Sequence, residues 1–335
     1  MGQPAASAAR NLARVLSGII LAGAALAGAP ERAAAQNSWP NRPITLIAPN
    51  PAGGGFDTVA RVIADRMRPL LGQPMIVENR TGAGTRIGTQ TAAKAAPDGY
   101  TLMIGALSNM ALNPGLYANL PYDPIKDFRL VGLAVTWSYT LVARKDLPQN
   151  SLKDVLAFAK ANPDKVTYAS AGNGSGQHVA MAVTEKLSGV KLTHVPYRGA
   201  QDAYQDILGG RVDLFFDISS TAKAQVEGGL VKALAVSSKD RQPFHPDVPS
   251  VYETGAPLDM ESWFGLFAPA GTPEPILEKL RAAMADVMAS RDVQELFART
   301  GGVVSTLTPQ QAEDKVRSDI ERWTRLIHEV GIKGE

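Results

Sequence analysis

No cysteine occurs in the 335 residues. That absence removes disulfides, thiol nucleophiles and thiolate metal ligands together, so the fold has to be held by its core, which this length permits. Histidine is nearly as scarce. His178, His194, His245 and His328 are scattered, with no HExxH or other metal-ligand spacing, so neither a metal nor a cofactor is expected. The phosphate-binding GxxxxGK[ST] is missing too. Gly82, Gly84 and Gly88 stand one residue too far apart for GxGxxG, and Gly172, Gly174 and Gly176 one residue too close. Ser170 and Ser175 lack a GxSxG frame, because Tyr168 and Asn173 hold its first glycine position. His178 near a helix start reads as a packed or capping histidine. No nucleophile, base and orienting acid come together. A binding protein is expected and not an enzyme; an exported hydrolase with an activated Ser or His is the alternative from another class.

Long apolar runs are confined to the N-terminus. Arg10 and Arg14 precede an apolar stretch from Val15 to about Ala29, and Ala33, Ala34 and Ala35 stand before Gln36. A basic start, a short apolar middle and small residues at the end read as a cleaved secretory signal peptide over residues 1–35. The stretch is too short and too rich in Ala and Gly to span a membrane comfortably. Without Arg10, Arg14, Glu31 and Arg32, the 34 basic and 32 acidic residues fall to 31 each. The exported chain is thus formally neutral. It has no global field to attract nucleic acid or an anionic membrane, and a charged ligand would have to be held by local features.

What is present is an alternation of strand and helix patterns with short loops. Ile44–Ala48 reads as a buried strand, and Thr58–Leu71 carries Val59, Ile63, Met67, Leu70 and Leu71 at helical spacing before Gly72. Strands follow at Met75–Glu78 and Tyr100–Gly105, with a helix over about Ile87–Ala95 between them. Ser151 and Asp154 resemble a capping box for a helix to about Ala161. Strand patterns at Val166–Ser170, Leu192–Tyr197, Val212–Asp217 and Ala233–Ser237 alternate with helices His178–Leu187, Ala200–Leu208 and Thr221–Glu227. A last strand at Trp263–Ala268 precedes helical sequence to about Val330. Single helices between strands imply mainly parallel sheets covered on both faces.

Three glycine-rich loops stand out: Gly53 to Gly55, TGAG at 81–84 and AGNGSG at 171–176. Each follows the carboxyl end of a strand and precedes a helix. A tight turn alone asks for the same residues, so a single loop decides nothing. Three at the ligand-binding end of an open α/β sheet favour a small anion held by helix N-termini and bare backbone N–H groups.

Six ordered stretches carry a likeness: WPNRPITLIAPNPAGGGFDTVAR, LGQPMIVENRTGAGTRIG, PDGYTL, HVPYRGAQDAYQDILGGRVD, KALAVSSKDRQPFHPDVPSVYETG and WFGLFAPAGTP. Over about residues 38–330 they resemble the Bug-type substrate-binding receptors of tripartite tricarboxylate transporters. The resemblance implies a two-lobed α/β periplasmic binding protein of type II, a Venus flytrap with an interlobe cleft. Lobe one would combine 36–138 with 238–335, and lobe two would be 139–237. It also implies a small carboxylate ligand (a dicarboxylate, acidic amino acid, citrate or aromatic acid) and delivery to membrane permease subunits, with a monomer as the default state. Signalling to a membrane receptor would use the same closed lobes and is the nearer alternative.

On this reading the ligand's first carboxylate meets the amides of Gly55, Phe56, Ala83 and Gly84. Ser170, Asn173 and Ser175 close on its far end, with Ser108 nearby, and Gly54, Thr85, Gly172 and Gln177 complete the site. Valine at Gly55 or Gly84 is expected to abolish binding and leave the fold intact. Asp57 is read as the residue that holds its own loop, since an acid facing an anion would repel it. Asp217 has two readings, a cap for the following helix or an acceptor for a ligand hydroxyl or ammonium. Thr85 and Arg86 stand where relatives usually carry a second glycine pair. Arg86 either faces solvent or grips the ligand, and Phe56 either packs under its loop or walls the cleft.

Overall fold

The computed structural model describes residues 39–334; the signal-peptide reading over 1–35 lies outside them. The chain divides at Asn41 into two units. Of the first, only Trp39 to Asn41 are described, with a cis peptide between Trp39 and Pro40. The second unit runs from Arg42 and holds all the structure that follows.

That unit begins with β1 (Ile44–Ala48), α1 (Gly55–Leu71), β2 (Met75–Asn79), α2 (Arg86–Ala93) and β3 (Thr101–Ala106). The apolar run ITLIA of β1 is buried throughout apart from Thr45. It pairs in parallel with β2 on one side and β3 on the other, as a strand covered by helices should. In α1 the 3.6-residue pattern puts Phe56, Val59, Ile63, Met67 and Leu71 on its buried side. Gly72 ends the helix at φ 71°, a left-handed conformation that glycine takes without a Cβ penalty. The helix starts at Gly55, earlier than the pattern from Thr58 indicated, because Gly54 and Gly55 contribute no apolar side chain to that pattern.

A π-helical turn (Leu107–Leu112) and α3 (Asn113–Leu116) lead to β4 (Phe128–Arg144). No element was legible in the sequence between Gly105 and Ser151. Nearly all of β4 is buried, so FRLVGLAVTWSYTLVAR shows neither strand alternation nor helix spacing, and periodicity cannot place it.

Then come α4 (Leu152–Ala161), β5 (Thr167–Ser170), α5 (Gly176–Ser188), β6 (Thr193–Pro196), α6 (Ala200–Leu208), β7 (Leu214–Ile218), α7 (Ser219–Glu227) and β8 (Val231–Val236). The chain ends with β9 (Glu261–Pro269), α8 (Glu274–Ala289), α9 (Arg291–Arg299), β10 (Val303–Val304) and α10 (Pro309–Val330). The strand order is β2-β1-β3-β9-β4-β7-β5-β6, with β8 and β10 also on β4. The flanks are parallel, β2-β1-β3 and β7-β5-β6. The centre is antiparallel, because β9 lies between β3 and β4 and runs against both.

β4 changes partners along its length. Phe128 to Ser138 face β9, whereas Tyr139 to Ala143 face β7, and Thr140 to Arg144 face β8. At the change, Tyr139 N–H donates to Ser237 Oγ at 2.8 Å and Ser237 N–H returns a bond to the Tyr139 carbonyl at 2.8 Å. Beside that change Trp137 is fully buried, edge-on to Phe264 at 5.4 Å and to Phe297 at 5.5 Å. Trp137→Ala should cost about 3–5 kcal/mol of stability, read as a lowered urea midpoint with an unchanged slope.

Candidate functional site

Five helices begin at one cavity of about 600 Å³: its lining includes Gly53 to Phe56 at the start of α1 and Gly82 to Thr85 before α2. Ser175 to Gln177 open α5, Gly199 to Asp202 open α6, and Asp217, Ile218 and Thr221 open α7. The first backbone N–H groups of a helix have no partner inside it. Only α5 has a side-chain cap here, Ser175, whose hydroxyl accepts from His178 N–H at 3.3 Å. The starts of α1, α2, α6 and α7 have none. Their summed partial positive charge makes the cavity a place for an anion.

The loop before α1 is held by Asp57. Its carboxylate accepts from Gly53 N–H at 3.0 Å, from Asn79 Nδ2 at 3.1 Å and from Arg61 Nε at 3.0 Å, and pairs with a second Arg61 nitrogen at 2.9 Å. Burial pushes this acid up, but Arg61, Gly53 and Asn79 together outweigh it and hold it below the usual aspartate value. Asp57 stays ionised and lies behind the lining. Gly55 is bare for a packing reason: a Cβ there would sit 2.8 Å from Phe264 Cζ. Phe56 is buried, lines the cavity and meets Phe264 edge-on at 5.2 Å, so its two readings are both met.

In the loop before α2, Gly82, Ala83, Gly84 and Thr85 all have positive φ, 125°, 47°, 60° and 76°. Two non-glycine residues in that region store strain of the kind found at ligand clamps. A Cβ on Gly84 would meet the Asn173 carbonyl at 2.9 Å. Valine at Gly55 or Gly84 therefore disturbs packing as well as the cavity, which corrects the expectation that the fold would be untouched. Arg86 does not line the cavity. Its Nε donates to the Ala83 carbonyl at 2.8 Å, and its guanidinium lies 3.9 Å over the Tyr117 ring.

The third loop rests on a stack of rings. His178 and His194 lie parallel at 4.2 Å, and Tyr168 stacks on His194 at 4.8 Å. Gly174 N–H donates to His178 Nδ1 at 3.1 Å, and Ser170 Oγ and His194 Nε2 are 2.7 Å apart. Ser170 is fully buried. Burial lowers both imidazoles to about 4, and for His194 the neighbouring His178 adds to it.

Of the residues expected in the site, all line the cavity except Asp57, Ser170 and Asn173, which stand behind it. Asn173 turns its carbonyl to the Tyr117 hydroxyl at 3.4 Å. Asp217 lines the cavity at 1% exposure. Its Oδ1 accepts from Ile218 N–H at 2.8 Å and its Oδ2 from the Thr221 hydroxyl. It braces the approach to α7 without capping it in the N-cap sense. Burial raises it to about 6 against the pull of these bonds. Among the described residues no cluster of His, Asp or Glu is arranged to hold a metal, and no described helix is long and apolar enough to cross a membrane.

The sequence profile of the tripartite tricarboxylate transporter family receptors matches residues 59–332. The chain belongs to this family. Three solved receptors of its kind superpose closely. The periplasmic binding protein BugD is 36% identical with a TM-score of 0.83, over 89% of this chain and all of that one. Rpa4515 of R. palustris, solved with adipate, is 32% identical with a TM-score of 0.84, over 88% and 99%. MatC of Rhodopseudomonas palustris, solved with malate, is 35% identical with a TM-score of 0.82, over 86% and 100%. The receptor therefore has the periplasmic binding protein fold.

Sequence reading missed the contribution of Tyr197 to Asp202. Among the described residues Arg198 is the one cationic side chain in the lining, and it is exposed with no ion pair to them. The strand–loop–helix signal that marked the glycine-rich loops was present at Tyr197–Gly199, but only one glycine stands there. Acid should test the ring stack. Both histidines are held neutral by the fold, so the stability they add is complete above their ordinary value of 6.5 and drains away as the pH falls toward 4. Urea unfolding should show wild type losing about 1 kcal/mol per histidine between about pH 7 and pH 5, allowing for solvent screening. His194→Gln should lose less of its stability over that range.

Proposed function

We propose that the mature receptor captures a small carboxylate in this cavity and delivers it to the membrane permease subunits of a tripartite carrier from outside the cytoplasm. The observation that carries this reading is the convergence of five helix N-termini on one cavity. Backbone N–H groups at 54–56 and 82–85 supply an anion cradle from one side. Those at 176–177 and 199–201 supply one from the other. Adipate and malate in two close relatives fit the same chemistry.

Two lobes, 36–138 with 238–335 and 139–237, would close on the ligand. The change of strand partners on β4 at Ser138 and Tyr139 supports a hinge there. Closure would exclude water and strengthen each contact by lowering the local dielectric, and the closed form would be the one a permease recognises. Arg198 would meet a second carboxylate at the rim. Ser170 and His194 form a hydrogen-bonded pair, but Ser170 is buried behind the lining, where no substrate carbonyl could approach it. Binding without turnover is the reading this favours.

A thermal-shift screen of residues 36–335 against small mono- and dicarboxylic acids and their neutral amides tests it. A ligand at about a hundred times its Kd adds roughly 2.7 kcal/mol, a rise of a few degrees, and the amide should add nothing. Equal shifts with acid and amide would refute the anion cradle. Arg198→Gln should weaken a dicarboxylate about tenfold by titration calorimetry and leave the matching monocarboxylate unchanged.

A further inference from the structure

The wall of this anion cavity contains a buried acid. Asp217 is 1% exposed and lines the cavity at the end of β7. Its protein partners are the Ile218 N–H at 2.8 Å and the Thr221 hydroxyl. A carboxylate offers about four lone-pair directions; these two bonds take part of that capacity, and a ligand donor would compete for the rest with the Tyr204 hydroxyl and the Gln177 amide that face it. The groups that face it are Thr221 on α7, Gln177 on α5, Tyr204 on α6 and Tyr139 on β4. None carries a charge near neutral pH. No lysine, arginine or histidine among the described residues bonds to it, and Arg198 stands at the exposed rim.

Two carboxylates sharing one cavity disfavour each other's charge. A proton held directly between them removes the conflict. The ligand can carry it on a hydroxyl or ammonium group, or Asp217 can take it up from solvent.

We propose that Asp217 reads the substituent on the ligand: ionised, it accepts a hydrogen bond from a hydroxyl or ammonium group, and it must itself be protonated before a plain, donor-free acid can occupy the cavity. This inference rests on the carboxylate-receptor reading above. Burial raises the carboxyl to about 6, so at neutral pH it is mostly ionised yet close enough to titration for a bound anion to draw a proton in. The receptor then favours hydroxy and amino acids at neutral and alkaline pH and admits their unsubstituted counterparts as the pH falls.

Titration calorimetry on residues 36–335 with three matched pairs tests this: succinate with malate, glutarate with glutamate, and adipate with 2-hydroxyadipate. Between about pH 7 and about pH 9 the side-chain carboxylates of all six stay ionised, so the slope reports the protein. The donor-free member of a binding pair should weaken about tenfold per pH unit and take up one proton, measured in buffers of different ionisation heat. For malate or 2-hydroxyadipate the curve should stay flat with no proton uptake, and for glutamate flat up to the onset of its own amine titration. Asp217→Asn should flatten the donor-free curve. If that variant does not fold, the wild-type slopes and proton counts still decide. Parallel slopes within every binding pair, as a shared bridging water would give, overturn the proposal while leaving the receptor reading in place. Failure of all six to bind, with no acid raising the melting temperature in the screen above, overturns the carboxylate reading itself.

Discussion

A helix cannot satisfy its own first N–H groups, and this receptor places five such deficits around one cavity. Much of the surrounding structure follows from that arrangement. The loops pack closely on neighbouring residues such as Phe264 and Asn173 as they reach this space, and they are poor in side chains and rich in positive φ. They must also be held in place by groups that stand behind the lining. Asp57 does this for the first loop through Gly53, Asn79 and Arg61. Arg86 on Tyr117 does it for the second, and the stacked imidazoles do it beneath the third.

Charge is handled the same way, by position more than by number. A chain with nearly balanced charge, 34 basic against 32 acidic residues, attracts little at a distance, and among the described residues the cavity offers a single cationic side chain at its rim. Attraction for an anion therefore comes from aligned peptide dipoles, which are fixed in place by the fold and cost little to organise when the ligand arrives. Against this background one buried acid has a large effect on which anions are welcome. Asp217 is paired by polar groups and not by a cation, and that leaves its protonation state open to the ligand.

The long β4 makes the cavity possible. It serves β9 with its first part and β7 and β8 with its second, so the helices of both parallel flanks can open toward a common space. Ser237, bonded twice to Tyr139, returns the chain across the same point. Trp137 and Phe264 beside it are buried and meet edge-on, which fixes the packing around the change of partners.

The sequence alone determined the local features. Strand runs, helix spacing and glycine loops are short-range patterns, and they placed β1, α1 and the three bare loops, with all the proposed site residues except Asp57, Ser170 and Asn173 falling in the lining. Asp57 was legible as a loop anchor because an acid at a helix start is favourable there and would repel an anionic ligand if it faced one. The absence of cysteine and of catalytic spacings was equally plain. Tertiary structure decided the rest, since those features depend on residues far apart in the chain. β4 was invisible because burial on both faces erases its period. The antiparallel insertion of β9 came from the C-terminal third of the chain. Which way Arg86 and Asp217 point, that Ser170 and Asn173 stand behind the wall, and that Arg198 reaches the rim all follow from how distant loops meet. Local propensity carries no information about such meetings; packing does.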